Sequence, residues 1–323
     1  MDLRSKFLLL TVAAAILAPS LAASQAKPGC SSSCGNLSIP FPFGTTPGCY
    51  LDDSFLITCN NSKPFLSKST RQVLNISLDG LIRVSVSVAR DCYNKSGSQV
   101  NDDDTTSLAL SKFFISSARN KFTAVGCDTL ALVTGSKGLN YTTGCLSICG
   151  DLERVANGSC NGNGCCQVAI PPGANDFSAG VTSLYNHSKV LDFNPCGYAF
   201  VVEEEAFSFL VPDLKDLQGI RTVPVVLDWA VGNETCEEAQ KNTSNYACKA
   251  LYSQCNNSSN GPGYLCNCTS GYQGNPYLLD GCEGTNIWFQ PLFADPLSDY
   301  TALLSYLPIN LFLLIKISMN AKS

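Results

Sequence analysis

The chain has a single histidine, no block of basic residues, no apolar run of the length that a bilayer-crossing helix needs, and no cysteine after Cys282. Each scarcity removes a class of protein. Zinc sites want CxxC pairs completed by histidine or by a second pair, whereas the close pairs here are CxxxC (Cys30/Cys34 and Cys145/Cys149), adjacent (Cys165/Cys166) and CxC (Cys266/Cys268). No metal is expected from them. Without a basic run, nucleic acid is not a partner. The longest apolar stretches, Phe7 to Ala18 and Ala302 to Ile317, are shorter than the roughly 20 residues of a membrane span, and the second is broken by Pro308 and Asn310.

The first of these stretches, preceded by Arg4 and Lys6 and followed by Ala22, Ala23, Ser24 and Ala26, has the layout of a secretory signal peptide over residues 1–26. Export puts the rest of the chain in an oxidising compartment. There the 18 cysteines, all between Cys30 and Cys282, read as disulfides rather than catalytic thiols. Sequons at Asn36, Asn60, Asn75, Asn94, Asn140, Asn157, Asn186, Asn233, Asn242, Asn256, Asn257 and Asn267 fit the same route, and those that carry glycan must face solvent.

The net charge of −5 hides an asymmetry. Lys27 to Val125 holds ten Lys/Arg against seven Asp/Glu, and Gly126 to Asp228 five against eleven. The first half is mildly basic and the second acidic. Strand patterns run through both. In "LIRVSVSVARDC", Ile82, Val84, Val86 and Val88 alternate with Arg83, Ser85, Ser87 and Ala89, so one face is expected in a core and the other in water. "FTAVGCDTLALVTG", "CGYAFVVEEEAFSFLV" and "TVPVVLDWAV" are similar runs between turn-forming clusters, and no helical period longer than two turns stands out before residue 290. The expected fold is mainly β: a disulfide-rich extracellular β module followed by a small second module. The cysteines place that division, with twelve from Cys30 to Cys196 and six from Cys236 to Cys282. Both sets are even, so each can close its own bridges, with the joint near Gly232.

The last six are spaced C-x11-C-x6-C-x10-C-x-C-x13-C, and six cysteines permit fifteen pairings. With CxC in fourth and fifth place and "GYQG" before the last, residues 233–283 resemble an epidermal-growth-factor-like (EGF-like) module. The resemblance implies the pairs Cys236–Cys255, Cys248–Cys266 and Cys268–Cys282. Some modules of that family hold calcium through residues just before the first cysteine. "AVGNETC" supplies Asn233 and Glu234 there without the full acidic pattern, so calcium has partial support and no cofactor is expected.

The stretches "CGNLSIPFPFG", "GCYLDDSFLITCN", "VLNISLDGLIRV", "NKFTAVGCDTLA", "YTTGCLSIC", "GNGCCQVAIPPG", "CGYAFVVE" and "VPVVLDWAVGNETC" follow one another from Cys34 to Cys236. In this order they resemble the extracellular region of plant wall-associated receptor kinases, over roughly residues 30 to 283. The resemblance implies a galacturonan-binding cysteine-rich region at 27–228, with the core of its domain at about 30–130, and then the EGF-like module. Residues 284–323 depart from the family's pattern as a divergent tail with the apolar segment 302–317, and no Gly-rich phosphate loop, VAIK, HRD or DFG motif occurs. Kinase activity is therefore not expected of this polypeptide, which reads as a truncated or alternatively spliced product, secreted or weakly tethered at the outer face of the plasma membrane or in the cell wall.

De-esterified galacturonan carries one carboxylate per sugar, so a binder needs Lys and Arg along a strand surface. Lys63, Lys68, Arg71, Arg83, Arg90 and Lys95 are the candidates, each weighed against being an ordinary solvated charge. Arg83 leads, because the alternation sets it with Ser85 and Ser87 away from Ile82, Val84 and Val86. Phe41, Phe43 and Tyr50 are expected in the core rather than stacked on sugar. An enzyme is not expected: Asp52, Asp53 and Asp102 to Asp104 lie in polar turns, His187 lies inside a sequon, and no Ser or Cys stands in a nucleophile arrangement. The partner implied is cell-wall pectin. The alternative is a protein-interaction module, a decoy or co-receptor for receptor kinases of the same family.

Overall fold

Short alternating segments make strands here, and glycine, proline, asparagine and serine turn the chain between them. A computed structural model describes residues 25–285, except Lys68, Asn101, Asp102 and Gly138. All of the expected signal peptide but Gln25 and Ala26, and the whole apolar segment 302–317, lie outside the described residues. Two small hairpins come first: β1 (Ser33–Cys34) with β2 (Leu37–Ser38), and β3 (Ile57–Asn60) with β4 (Lys63–Leu66). Then follow β5 (Val73–Ser77), β6 (Leu81–Ser87), β7 (Ala89–Cys92), β8 (Thr105–Ala109), β9 (Phe113–Ile115), β10 (Asn120–Gly126), β11 (Asp128–Gly135) and β12 (Tyr141–Ile148). β13 (Gly164–Ala169), β14 (Asp176–Thr182), β15 (Cys196–Glu203) and β16 (Thr222–Trp229) complete three antiparallel four-stranded sheets. Their strand orders are β5-β6-β16-β9, β13-β10-β15-β7 and β12-β11-β14-β8. The protein is mainly β and disulfide-rich, in line with the sequence pattern.

The sheet containing β10 and β15 is a middle layer. Ala199 and Val201 of β15, with Phe122 and Ala124 of β10, enter one buried cluster, which they share with Ile82 and Val84 of the first sheet and with Ala131 and Val133 of the third. The alternate residues Tyr198, Phe200 and Val202, with Val125, enter a second cluster closed by Phe209, Leu214 and Leu217. A strand buried on both faces reads as a continuous apolar run, which accounts for "YAFVV".

The alternation expected from Ile82 to Ala89 holds as far as Val88 and breaks at Ala89. Ile82, Val84 and Val86 are buried, but Val88 and Ala89 are buried side by side. The reason is a change of sheet: the chain leaves the first sheet after Ser87 and joins the middle one at Ala89, while Val88 N–H donates to the Arg221 carbonyl at 3.0 Å. Two sheets face different ways, so the in-and-out phase resets between them.

All eighteen cysteines are paired. The first twelve form Cys30–Cys49, Cys34–Cys59, Cys92–Cys196, Cys127–Cys149, Cys145–Cys166 and Cys160–Cys165. Neighbours on a strand point to opposite faces, which is why the adjacent Cys165 and Cys166 of β13 reach different partners. The last six form Cys236–Cys255, Cys248–Cys266 and Cys268–Cys282, the pairs that the EGF-like resemblance implies.

The EGF-like segment opens with helix α1 (Cys236–Lys241), started by a Thr235–Glu238 capping box. Two hairpins follow: β17 (Ser253–Asn257) with β18 (Tyr264–Cys268), and β19 (Tyr272–Gly274) with β20 (Cys282–Gly284). No disulfide joins this segment to the sheets, yet the two share a core. Trp229 stands edge-on to Phe43 and Phe55, at 5.3 and 5.7 Å between ring centres, and 5.8 Å from Tyr277. Gly80, at φ +90°, has Leu265 packed where a side chain would stand, so only glycine lets the β5–β6 turn approach the module this closely.

Candidate functional site

A side chain can serve a polyanion only if its charge is not already spent within the protein. By that measure the six basic candidates separate. Lys63, on β4, and Lys95, in the turn after β7, are exposed and carry no side-chain hydrogen bond or ion pair among the described residues. Lys68 lies outside the described residues. Arg71 is half-buried and donates to the Ser107 carbonyl on the edge strand β8, and this burial lowers its pKa from the ordinary arginine value without threatening its charge near neutral pH. Arg90 clamps Asp103: its Nε donates to the carboxylate at 2.8 Å and an Nη adds a second contact.

Arg83 departs furthest from the expected open, solvent-facing position. Its guanidinium pairs with Glu203 at the end of β15, the Arg side chain retaining 37% of its accessible surface and the Glu 18%. The face of β6 that carries Arg83 is therefore partly roofed by the middle sheet. Asn120 fixes that contact by exchanging two side-chain hydrogen bonds with the backbone of Val226, at 2.8 and 2.9 Å, and Val226 is the direct neighbour of Arg83 in the ladder. On the other side Asn75, a sequon residue, stands opposite Arg83 in the β5–β6 register. Directly opposed residues project to the same face, so a glycan on Asn75 would rise beside Arg83. The pairing is also incomplete. Arg83 Nε and Glu203 Oε2 are buried, and neither makes a hydrogen bond of acceptable geometry. The two charges touch without aligning.

Beside Glu203 the structure leaves a cavity of about 100 Å³, lined by Ala118, Arg119, Glu203, Glu204 and Glu205. Two strand ends build it: residues 118–119 lead into β10, residues 203–205 leave β15, and Glu204 N–H donates to the Arg119 carbonyl at 2.8 Å. Lys121 pairs with Glu204 at 3.7 Å. Arg119 is exposed, and its guanidinium makes no hydrogen bond or ion pair among the described residues, although the half-buried Asp228 carboxylate feels its field. Sequence reasoning missed Arg119 and Glu203, because the signal that joins them is strand pairing and not spacing.

The remaining candidates fall into structural roles. Phe41 and Phe43 are buried, and Tyr50 packs partly buried against the same core. Asp52 caps the short turn at Asp53–Phe55 by accepting from Ser54 N–H at 2.9 Å, Asp103 is held by Arg90, and Asp102 lies outside the described residues. His187 is buried although the adjoining sequon residue Asn186 is exposed. Its Nδ1–H donates to the Asn194 carbonyl at 2.9 Å, its Nε2 has no partner, and burial lowers its pKa. Of the two residues before the first cysteine of the last module, Asn233 Oδ1 accepts from Lys112 Nζ at 3.0 Å, and the Glu234 carboxylate accepts from the Asn233 N–H at 3.2 Å.

Residues 30–86 match the family model described as wall-associated receptor kinase galacturonan-binding. The chain is 41% identical to wall-associated receptor kinase 2 of Arabidopsis thaliana over 82% of its own length, and 40% identical to wall-associated receptor kinase 3 of the same plant over 80%. It spans about a third of the length, 36%, of each of these relatives. No solved structure matches it.

Proposed function

The chain carries an ectodomain of the wall-associated receptor kinase type, with the galacturonan-binding domain at residues 30–86, and from that premise we propose that it binds pectin without catalysis at the plant cell wall. The observation that carries the reading is the domain match itself, which covers Lys63, Arg71 and Arg83. The ligand is homogalacturonan or its oligomers, recognised as a polyanion by basic groups on a disulfide-fixed β scaffold, in the wall or at the outer face of the plasma membrane. Lys63 and Lys95, whose charges are unspent, offer first contacts with the polymer, while Arg71 and Arg90 are held in fixed positions.

The test is binding of the secreted, oxidised chain to de-esterified and to fully methyl-esterified homogalacturonan across a salt series, with and without calcium. Binding to the de-esterified polymer that weakens with salt supports the reading, since exposed charge pairs are screened within about 8 Å at physiological ionic strength. No binding to either polymer overturns it. A second reading, a protein-interaction module acting as decoy or co-receptor for receptor kinases, is favoured by one feature: the EGF-like segment exposes Leu251, Tyr252 and Leu279 to solvent.

A further inference from the structure

We propose that Tyr252 and Tyr272 of the EGF-like segment are a modification site, at which a one-electron oxidant, such as a peroxidase acting with hydrogen peroxide, joins the two phenols as dityrosine. The reaction is independent of pectin.

The fold brings the two rings together. Tyr252 stands just before β17, and Tyr272 opens β19. The backbone between them closes a tight turn: Thr269 N–H donates to the Tyr252 carbonyl at 2.8 Å, and Tyr272 N–H to the Thr269 carbonyl at 3.0 Å. The rings stack 15° from parallel with their centres 3.9 Å apart, closer than the roughly 4.5–7 Å usual for aromatic pairs. Their hydroxyls hydrogen-bond each other, a contact that raises the Tyr272 pKa. Both rings therefore point the same way, and a carbon ortho to each hydroxyl lies against the partner ring. Those ortho carbons share the unpaired electron of a phenoxyl radical, and it is there that two radicals couple.

Access and competition favour the same pair. Tyr252 is 44% exposed and Tyr272 half-buried, so an oxidant reaches the edge of the stack. All eighteen cysteines are in disulfides, and the two methionines, Met1 and Met319, lie outside the described residues. Among the described residues, then, no thiol or thioether is there to be oxidised first. Trp229 is buried. Tyr246 and Tyr264 also stack, at 5.8 Å, but Tyr264 is buried and its oxygen accepts from Ala247 N–H at 2.9 Å. Tyr185 is more open, at 58%, but the neighbour over its ring is Lys189 rather than a second phenol.

Each phenol gives up one electron and one proton, and the two radicals form a Cε–Cε bond. The ring hydrogens at those carbons then move to the oxygens, which restores both phenols. Hydrogen peroxide takes up the two electrons and two protons and becomes two waters. Groups held in contact react with effective concentrations that reach about 10⁵ M or more. At micromolar chain the stacked partner therefore outcompetes a phenol of another molecule. The product ties the start of β17 to β19 through a bond that reductants do not cut, unlike the Cys268–Cys282 bridge of the same segment.

Oxidation of the full, folded chain by peroxidase and hydrogen peroxide, followed by reduction, digestion and mass spectrometry, tests this. The expected result is a joined pair of peptides carrying Tyr252 and Tyr272, lighter than their sum by two hydrogens, with dityrosine fluorescence in the monomer fraction. Tyr252→Phe and Tyr272→Phe should each abolish that fluorescence, and Tyr185→Phe should leave it unchanged. Absence of the joined peptides from the oxidised folded chain overturns the assignment. So does dityrosine formed only between chains, or an equal yield from chain reduced and unfolded in urea, where the stack does not exist. Where a Phe variant fails to fold, the peptide map of the unmodified chain decides alone.

Discussion

The side-chain amide of Asn275 donates at 2.7 Å to the carbonyl of Gln25, 250 residues earlier in the chain, and at 2.7 Å to the carbonyl of Phe41. Its oxygen accepts from Tyr277 N–H at 3.0 Å. One buried side chain thereby ties the strand-less "PFPFG" segment to the last module. Asn275→Ala is expected to cost about 2–3 kcal/mol of folding stability, because it strands the buried Phe41 carbonyl and the Tyr277 amide without partners. The urea midpoint of the variant checks this. The same tie means that the sheets expressed without residues 233–283 should lose stability or aggregate, since Trp229 would be left beside the vacant place of Tyr277.

Lys63→Ala and Lys95→Ala should each weaken binding to de-esterified homogalacturonan about two- to threefold, and together flatten its salt dependence. Exposed ion pairs are worth roughly 0.2–1 kcal/mol, and the two side chains have no partner among the described residues to hold them back. Affinity measured at low and high salt shows the effect. A double variant with the full salt slope of the original would remove these lysines from the site.

Stability should fall as pH drops from about 7 towards 5. His187 is buried with its pKa lowered below the ordinary value of 6.5, so the fold keeps the ring neutral and the unfolded chain takes the proton first. Its contribution is intact above the unfolded value and is lost as pH falls towards the folded one. Asp128 and the buried Asp91 face the ring and offset part of the loss, while Tyr93, 5.5 Å away by ring centres, remains neutral. His187→Gln should show a flatter profile over this interval in denaturant midpoints taken at half-unit steps.

Glycan occupancy should follow the geometry of the sequons. Asn36 and Asn140 are exposed beside hairpin turns and are expected to be occupied. Asn267, between two disulfide-bonded cysteines on β18 and only half-exposed, is expected to be bare. Glycopeptide mass spectrometry of the secreted protein distinguishes these outcomes. A fully occupied Asn267 would mean that glycosylation outruns closure of Cys266 and Cys268.

Much of the fold can be read directly from the residue order. Alternation from Ile82 to Val86 fixes a strand and its buried face, because a strand has a period of two whatever lies across from it. The run "YAFVV" marks a strand covered on both faces, and the EGF-like resemblance of the segment from Cys236 to Cys282 implies the three pairings that the last module shows. Lys63 and Lys95 are as exposed as polar turns and edge strands suggest.

What the order of residues could not carry is what each surface meets. Arg83 reads as an open cation because its neighbours alternate, but β15 arrives from more than a hundred residues later and brings Glu203 against it. His187 reads as exposed because a sequon surrounds it, but its backbone amide turns inward to the Asp128 carboxylate and takes the ring along. The cysteines divide the chain at Gly232, whereas Trp229 and Tyr277 pack across that division without any covalent link. Local periodicity is set by backbone geometry within a few residues. Charge pairing, burial and shared cores depend on which distant segments the three sheets bring together, and only the tertiary structure decides that.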